Sequence, residues 1–318
     1  MGRRTQKPFP IVWQLSALPL MNKRTLITGV LLTNVPYNGN GELRGFRNLV
    51  NILSTYFITP YGNKNISLIA DGVTTNTKTD TTGGFWTIAD YQHEGRIDVI
   101  VHGGNIPLKI IHNYPIAYKS RGGTLGVISD IDDTIIESFT SDIFKRIAVL
   151  LFRTPEKRKP IDFTHKLFKV FEERKANTYY VSKSESNLFG TLTSFIEHSG
   201  LRKGMLFLTP YMNFWKLLTT KKATDFKMNR IRFLIENTAE KKYILLGDDS
   251  QHDMEIYFEV AKAYPKSILK IYIRQTKPKI SLSRKRGIEN LRNTGIPIKY
   301  FKADDHIEES DMLSPTKK

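Results

Sequence analysis

The sequence predicts an α/β protein: a doubly wound, Rossmann-type parallel sheet preceded by a small antiparallel β-sandwich domain. Two patterns carry that prediction. From about Gly123 onward, near-continuous apolar strands alternate with amphipathic helical stretches, which is how a parallel sheet covered on both faces reads. Before about residue 118, short strand-like runs are separated by turn clusters with no helix between them, as in a small sandwich. A chain of 318 residues with 40% hydrophobic content is long enough to build both. The expected division is an N-terminal extension over 1–24, the β-sandwich domain over 25–118, the α/β domain over 119–304 and a polar, loosely ordered tail over 305–318.

In the first half the expected strands are TLITGVLL (Thr25–Leu32), NILSTYFI (Asn51–Ile58), NISLIAD (Asn65–Asp71), FWTIAD (Phe85–Asp90), RIDVIV (Arg96–Val101) and PLKIIH (Pro107–His112). NVPYNGNGE and DTTGG between them are rich in residues that tolerate turn geometry. In the second half the expected strands are TLGVIS, TYYVS (Thr178–Ser182), MLFLT (Met205–Thr209), KYILLGD (Lys242–Asp248), ILKIYI (Ile268–Ile273) and IPIKYF (Ile296–Phe301). Helical periodicity fills DFTHKLFKVFEERK (Asp162–Lys175), NLFGTLTSFIEH (Asn187–His198) and KMNRIRFLIEN (Lys227–Asn237). In parallel sheets the functional side chains lie just past the carboxyl ends of the strands, which puts Asp130, Ser182 and Asp248 along one edge.

Composition narrows the chemistry. With no cysteine, disulfide scaffolds and thiolate metal sites or nucleophiles are excluded. No run of about 18 apolar residues offers a membrane span. The opening MGRRTQKPFPIVWQLSALPLM is basic, then apolar, but its prolines and lack of a small-x-small site argue against a secretory signal. The expected location is cytoplasmic, with peripheral membrane contact open. The formal net charge is +17, from 48 Lys and Arg against 31 Asp and Glu, and favours polyanions: anionic membrane, nucleic acid or phosphorylated substrate. RTPEKRK (Arg153–Lys159), TKKATDFK (Thr220–Lys227) and RQTKPKISLSRKR (Arg274–Arg286) are the densest basic stretches. A basic soluble protein with solvated faces explains the same charge.

Four motifs carry chemistry. VISDIDDTI (Val127–Ile135) runs an apolar strand straight into Asp130, Asp132 and Thr134. Carboxylates there are costly unless used. They offer a nucleophile, a proton-transfer group and hard oxygen ligands for a cation, or else turn and cap residues. YVSKSES (Tyr180–Ser186) presents the Ser182 hydroxyl and following N–H groups to a phosphoryl oxygen. Lys227, early in a helix, can meet a phosphate or a carboxylate. LLGDDSQHD (Leu245–Asp253) supplies Asp248, Asp249 and Asp253, the inventory of half a Mg²⁺ site. A helix-capping role accounts for one of these three aspartates but not for all of them.

Together and in this order, the four segments resemble the haloacid-dehalogenase-type (HAD-like) phosphotransferase superfamily. More narrowly, with KIYIR (Lys270–Arg274), they resemble the catalytic domain of the actin-patch-associated phosphatidate phosphatase family. The resemblance covers roughly Gly123 to Phe301, and members commonly carry a β-rich segment upstream. Three positions depart from it: the usual Ser-Gly-Ser-Pro is Ser182-Lys183-Ser184-Glu185, the His before the lysine is Phe226, and Gly-Asp-Ser-Gly reads Gly247-Asp248-Asp249-Ser250.

The resemblance implies that Asp130 attacks phosphorus and that Asp132 protonates the leaving oxygen and then activates water. Thr134, Ser182 and Lys227 complete the catalytic set, and Ser182, Lys183 and Lys227 bind phosphate. Mg²⁺ is then held by Asp130, the Asp132 carbonyl and Asp248, with Asp249 or Asp253 in support. The implied reaction is hydrolysis of phosphatidate to diacylglycerol and phosphate. Two other readings stay open: the same chemistry on another phosphomonoester, such as a nucleic-acid end, and a non-enzymatic β-sandwich recognition protein with a degenerate phosphatase module. The apolar run Ile147–Phe152 beside Arg153, Lys157, Arg158 and Lys159 reads either as an interfacial element or as a buried helix with a solvated loop.

Overall fold

The computed structural model describes residues 10–36, 46–92, 96–104, 106–111, 114–118, 122–131, 134, 161–212, 225–308 and 311. The chain forms two units. The first comprises Met1–Lys119 with Glu185–Ser194 and Thr209–Lys221; the second comprises Ser120–Ser184, Phe195–Leu208 and Lys222–Lys318.

In the first unit, β1 (Ile11–Pro19) pairs antiparallel with β2 (Thr25–Leu32), and β2 pairs antiparallel with β5 (Gly84–Ala89). The short β7 (Lys109–Ile110) lies parallel to the free edge of β1. A second sheet has β3 (Asn65–Ala70) between β4 (Val73–Lys78) and β6 (Ile97–Val101), all antiparallel. The β3–β4 hairpin turns on Asp71-Gly72, both at positive φ, the backbone a two-residue hairpin requires. Val12, Leu15, Ile27, Leu31 and Phe85 of the first sheet share one apolar cluster with Ile66, Leu68 and Val99 of the second.

Two expectations fail in this unit. The extension over 1–24 contains β1, a strand buried along nearly its whole length. Its register against β2 shifts between Trp13 and Ser16, with Gln14 at φ 57°. This bulge buries Trp13, Gln14 and Leu15 in succession and erases the alternation by which a strand is recognised. NILSTYFI is not a strand: Phe46–Thr55 is a helix, α1. Its β-favouring residues are overridden by packing, because Ile52, Thr55 and Tyr56 are buried at helical i, i+3, i+4 spacing.

The second unit is built on a six-stranded sheet of β8 (Leu125–Ser129), β9 (Asn177–Glu185), β10 (Met205–Thr209), β11 (Lys242–Asp248), β12 (Ile268–Arg274) and β13 (Ile298–Phe301). Its order is β10-β9-β8-β11-β12-β13. The β8–β9, β8–β11, β11–β12 and β12–β13 pairs are all parallel. Consecutive strands step outward from β8 on one side and from β11 on the other, so the chain switches direction between these two. Helices α2 (Asp162–Glu173), α3 (Phe189–His198), α4 (Phe226–Asn237), α5 (Gln251–Ala263) and α6 (Leu282–Arg292) connect and follow the strands. Helix α2 packs by its apolar stripe, with Phe163 stacked on Phe301 at 4.3 Å between centroids and Phe168 on Tyr180 at 6.1 Å.

The run Ile147–Phe152 and its basic neighbours lie outside the described residues. The expected loose tail is tied down at one point. Asp311 is fully buried and its carboxylate accepts from Lys270 and Lys299, each at 2.9 Å. No helix among the described residues is long and apolar enough to cross a membrane.

Candidate active site

The switch between β8 and β11 sets the site. The Asp130 N–H donates to the Leu246 carbonyl at 2.8 Å, extending the β8–β11 ladder one residue past β8. Asp130 therefore lies beside the end of β11, where Asp248 is the last strand residue. On the other flank, Ser129 is in register with Tyr180, so Ser182 stands two residues further along β9 at the same edge. Open parallel sheets bind ligands at such a switch point.

Lys227 and Asp253 reach this edge from helices. Lys227 is the second residue of α4 and is only 1% exposed. Its ammonium donates to Asp253 Oδ2 at 2.6 Å, stands 3.3 Å from Asp130 Oδ1 and lies 5.6 Å from the centre of the Tyr257 ring. Asp253 is in the first turn of α5, where its N–H donates to the capping Ser250 hydroxyl. Tyr257 follows one turn later on the same helix face and donates to the Leu246 carbonyl at 2.9 Å. Gly247 permits this approach: a Cβ there would stand 2.8 Å from the Tyr257 hydroxyl oxygen and 3.0 Å from Asp253 Oδ2.

The electrostatics follow from burial and neighbours. Burial alone would strip the Lys227 proton, but the Asp130 and Asp253 carboxylates outweigh it and hold the ammonium well above the ordinary lysine range. Asp248 is pushed up to about 7, first by burial and then by the Asp253 charge, although its Oδ1 accepts from the Ser250 N–H at 3.0 Å. Lys183 is lowered by burial, against the opposing pull of Asp253. His252 is also lowered by burial and then by the Lys183 charge, which places it beside the same cluster. The Ser182 hydroxyl accepts from the Ser184 N–H at 2.9 Å and is fully buried.

Of the residues expected from sequence, Asp130, Ser182, Lys183, Lys227, Asp248 and Asp253 thus gather at one edge. Thr134 is buried, and its hydroxyl has no hydrogen-bond partner among the described residues. Asp132 lies outside the described residues. Asp249 belongs to a different network. Its Oδ1 accepts from the Thr276 N–H at 3.1 Å and hydroxyl at 2.6 Å, and its Oδ2 accepts from Tyr300 at 2.9 Å and sits 3.2 Å from Arg284. These bonds engage both oxygens and tie Asp249 to Thr276, Tyr300 and Arg284. Sequence reading passed over Tyr257 and His252. Helical spacing from Asp253 would have pointed to the first.

A divalent cation fits this donor set. The Asp130 and Asp248 oxygens are hard ligands, and a buried carboxyl held up to about 7 beside a second carboxylate is one a cation would return to its ionised form. Among the described residues no three acidic or imidazole side chains already converge on one point.

Residues 125–275 match the family profile described as phosphatidate phosphatase APP1, catalytic domain. Over that segment the chain is similar to the phosphatidate phosphatase family. Phosphatidate phosphatase APP1 of Saccharomyces cerevisiae is 31% identical over 180 residues, which is 56% of this chain and 30% of the yeast protein. An uncharacterised protein of Schizosaccharomyces pombe is 26% identical over 168 residues, 52% of this chain and 28% of that protein. The chain therefore spans less than a third of the length of either relative. A class C acid phosphatase from Bacillus anthracis overlays with a TM-score of 0.30 at 13% identity, over 52% of this chain and 78% of that one, too loosely to bear on function.

Proposed function

We propose that the second unit is a HAD-type, Mg²⁺-dependent phosphatidate phosphatase that works through an aspartyl-phosphate. The observation that carries this reading is the buried Asp130–Lys227–Asp253 cluster beside Asp248 at the strand switch, within a segment that matches a phosphatidate phosphatase catalytic domain. Two carboxylates and a lysine buried together are expensive as mere structure and useful for phosphoryl transfer.

Asp130 is the nucleophile. Its oxygen bonds to phosphorus as the bond from phosphorus to the diacylglycerol oxygen breaks, and Asp132 gives that oxygen its proton. Asp132 then takes a proton from water as the water oxygen attacks the aspartyl-phosphate, releasing phosphate and restoring Asp130. Lys227, held in place by Asp253, compensates Asp130 and keeps it aimed. Ser182 and Lys183 meet the non-bridging phosphoryl oxygens. Asp130, Asp248 and the Asp132 carbonyl would hold Mg²⁺, with Asp253 close by. When bound, the ion supplies neutralisation of charge on the phosphoryl oxygens.

The test is Mg²⁺-dependent phosphate release from phosphatidate in mixed micelles, beside a water-soluble phosphomonoester and the Asp130→Asn variant. Release from the lipid by the wild type, lost in a folded Asp130→Asn protein, supports the whole reading. Turnover of the soluble ester alone keeps the mechanism and discards the lipid. Full activity in Asp130→Asn sinks the aspartyl-phosphate. Silence on both substrates turns the reading toward a recognition protein.

A further inference from the structure

Helix α6 presents two faces with opposite tasks. Ile288 and Leu291 are buried, Arg284 reaches back to Asp249, and Gly287 packs against Met254, where a Cβ would stand 2.7 Å from the methionine methyl. The opposite stripe, at i, i+3, i+4 and i+7, is Leu282, Lys285, Arg286 and Glu289, all exposed. Leu282 is 75% exposed, the most exposed large apolar side chain described. The loop leading into the helix adds exposed Lys277 and Lys279. Lys277, Lys279, Lys285 and Arg286 make no ion pair among the described residues, and Glu289 is the sole acid of the stripe. An exposed apolar side chain flanked along the chain by four cations, with a single acid one turn further on, suits an interface between hydrocarbon and anionic headgroups.

Its place in the fold gives this patch meaning. The loop leaves β12 at Arg274, the register partner of Asp248, so it emerges at the edge that holds the candidate active site. Asp249 fixes it there: its N–H donates to the Arg274 carbonyl at 2.9 Å, while its carboxylate grips Thr276 and Arg284 in the loop and first turn of α6. A surface bound by Leu282 and its basic neighbours is thus held by a rigid strut beside Asp248.

We infer that Lys277, Lys279, Leu282, Lys285 and Arg286 form a docking surface for an anionic bilayer, seating the carboxyl edge of the parallel sheet against the lipid. This inference deepens the phosphatidate reading by naming how the site meets its substrate's membrane, but its test needs no turnover. The full chain is sedimented with phosphatidylcholine vesicles, with or without about 30% phosphatidylserine, across a salt series. Binding is expected to require the anionic lipid and to weaken with salt. Each basic residue near such a surface is worth about fivefold in partition, so Lys285→Gln/Arg286→Gln lowers binding about 25-fold. Leu282→Ser is expected to lower it several-fold without changing its salt dependence. Lys277→Gln/Lys279→Gln, placed in the loop, repeats the charge test without touching the helix.

Hydrolysis of a soluble phosphomonoester is expected to stay unchanged in all three variants. Equal binding to neutral vesicles, or unchanged binding in both charge variants, overturns the inference. So does binding of an oligonucleotide, but not of vesicles, that these variants abolish. Vesicle binding with no phosphate release from any ester would instead leave the surface standing and remove the phosphatase.

Discussion

Lys227→Met tests whether the buried charge cluster is arranged as described. Methionine keeps the length and apolar stem of the side chain, so what is lost is the ammonium, 2.6 Å from Asp253 and 3.3 Å from Asp130. With Lys227 only 1% exposed, water does not replace it. Removing one partner of a buried ion pair costs about 3–5 kcal/mol. Here two carboxylates are left facing each other, so the upper part of that range applies. The assay is urea unfolding followed by circular dichroism, with EDTA present, at neutral pH. The midpoint is expected to fall by about 1–2 M for a slope near 3 kcal/mol/M. A midpoint that matches the wild type would refute the described arrangement. Asp253→Asn combined with Lys227→Met is expected to cost less than the two single changes added, because the pair is coupled.

Asp248 makes the metal-free wild type pH-sensitive in its own right. Its folded pKa of about 7 exceeds the ordinary value of 3.8, so its contribution is complete below about 4 and lost as pH rises through 7, by an amount on the order of 2–4 kcal/mol. The thermal midpoint in EDTA is expected to drop across that window; Asp248→Asn should remove most of the slope, and Mg²⁺ should flatten it in the wild type. Asp249→Ala is expected to destabilise by about 2–4 kcal/mol, since it strands Arg284, Thr276 and Tyr300, yet to leave Mg²⁺ affinity by calorimetry within about threefold. A loss of Mg²⁺ binding far larger than that would restore Asp249 to the metal site. Asp311→Asn leaves Lys270 and Lys299 short of their shared carboxylate and is expected to cost about 2–4 kcal/mol. Limited proteolysis should then cut the tail faster than in the wild type; an unchanged cleavage rate would mean the buried contact anchors nothing.

The parallel sheet was legible because its strands are buried on both faces and read as unbroken apolar runs: KYILLGD and ILKIYI form β11 and β12 nearly as written. The antiparallel unit was less so, because recognising it depends on alternation. The bulge at Gln14 breaks that pattern in β1, and β4, VTTNTK, is a largely exposed strand whose one aliphatic residue, Val73, lies at its end. Its partner β3 carries the burial for both. Ile52 in α1 and Tyr56 just past its end look like strand residues until their spacing is set against the core they meet.

At the site, residue type was legible and direction was not, although direction could have been inferred. Successive side chains of a strand point to opposite faces. Asp248 ends β11 and Asp249 continues it, so two adjacent carboxylates at a strand end cannot readily serve one small cation. Asp248 accepts from the Ser250 N–H and feels the Asp253 charge; Asp249 turns toward Thr276, Arg284 and Tyr300. Ser250 then caps α5 and brings Asp253 round by one helical turn, back to the side of Asp248. The three aspartates thus make different contacts: Asp248 accepts from the Ser250 N–H, Asp249 ties the strand end to Thr276 and Arg284, and Asp253 is returned by the helix to meet Lys227. The same alternation that takes Asp249 away from the chemistry ties the basic loop and its exposed leucine to the strand that carries Asp248.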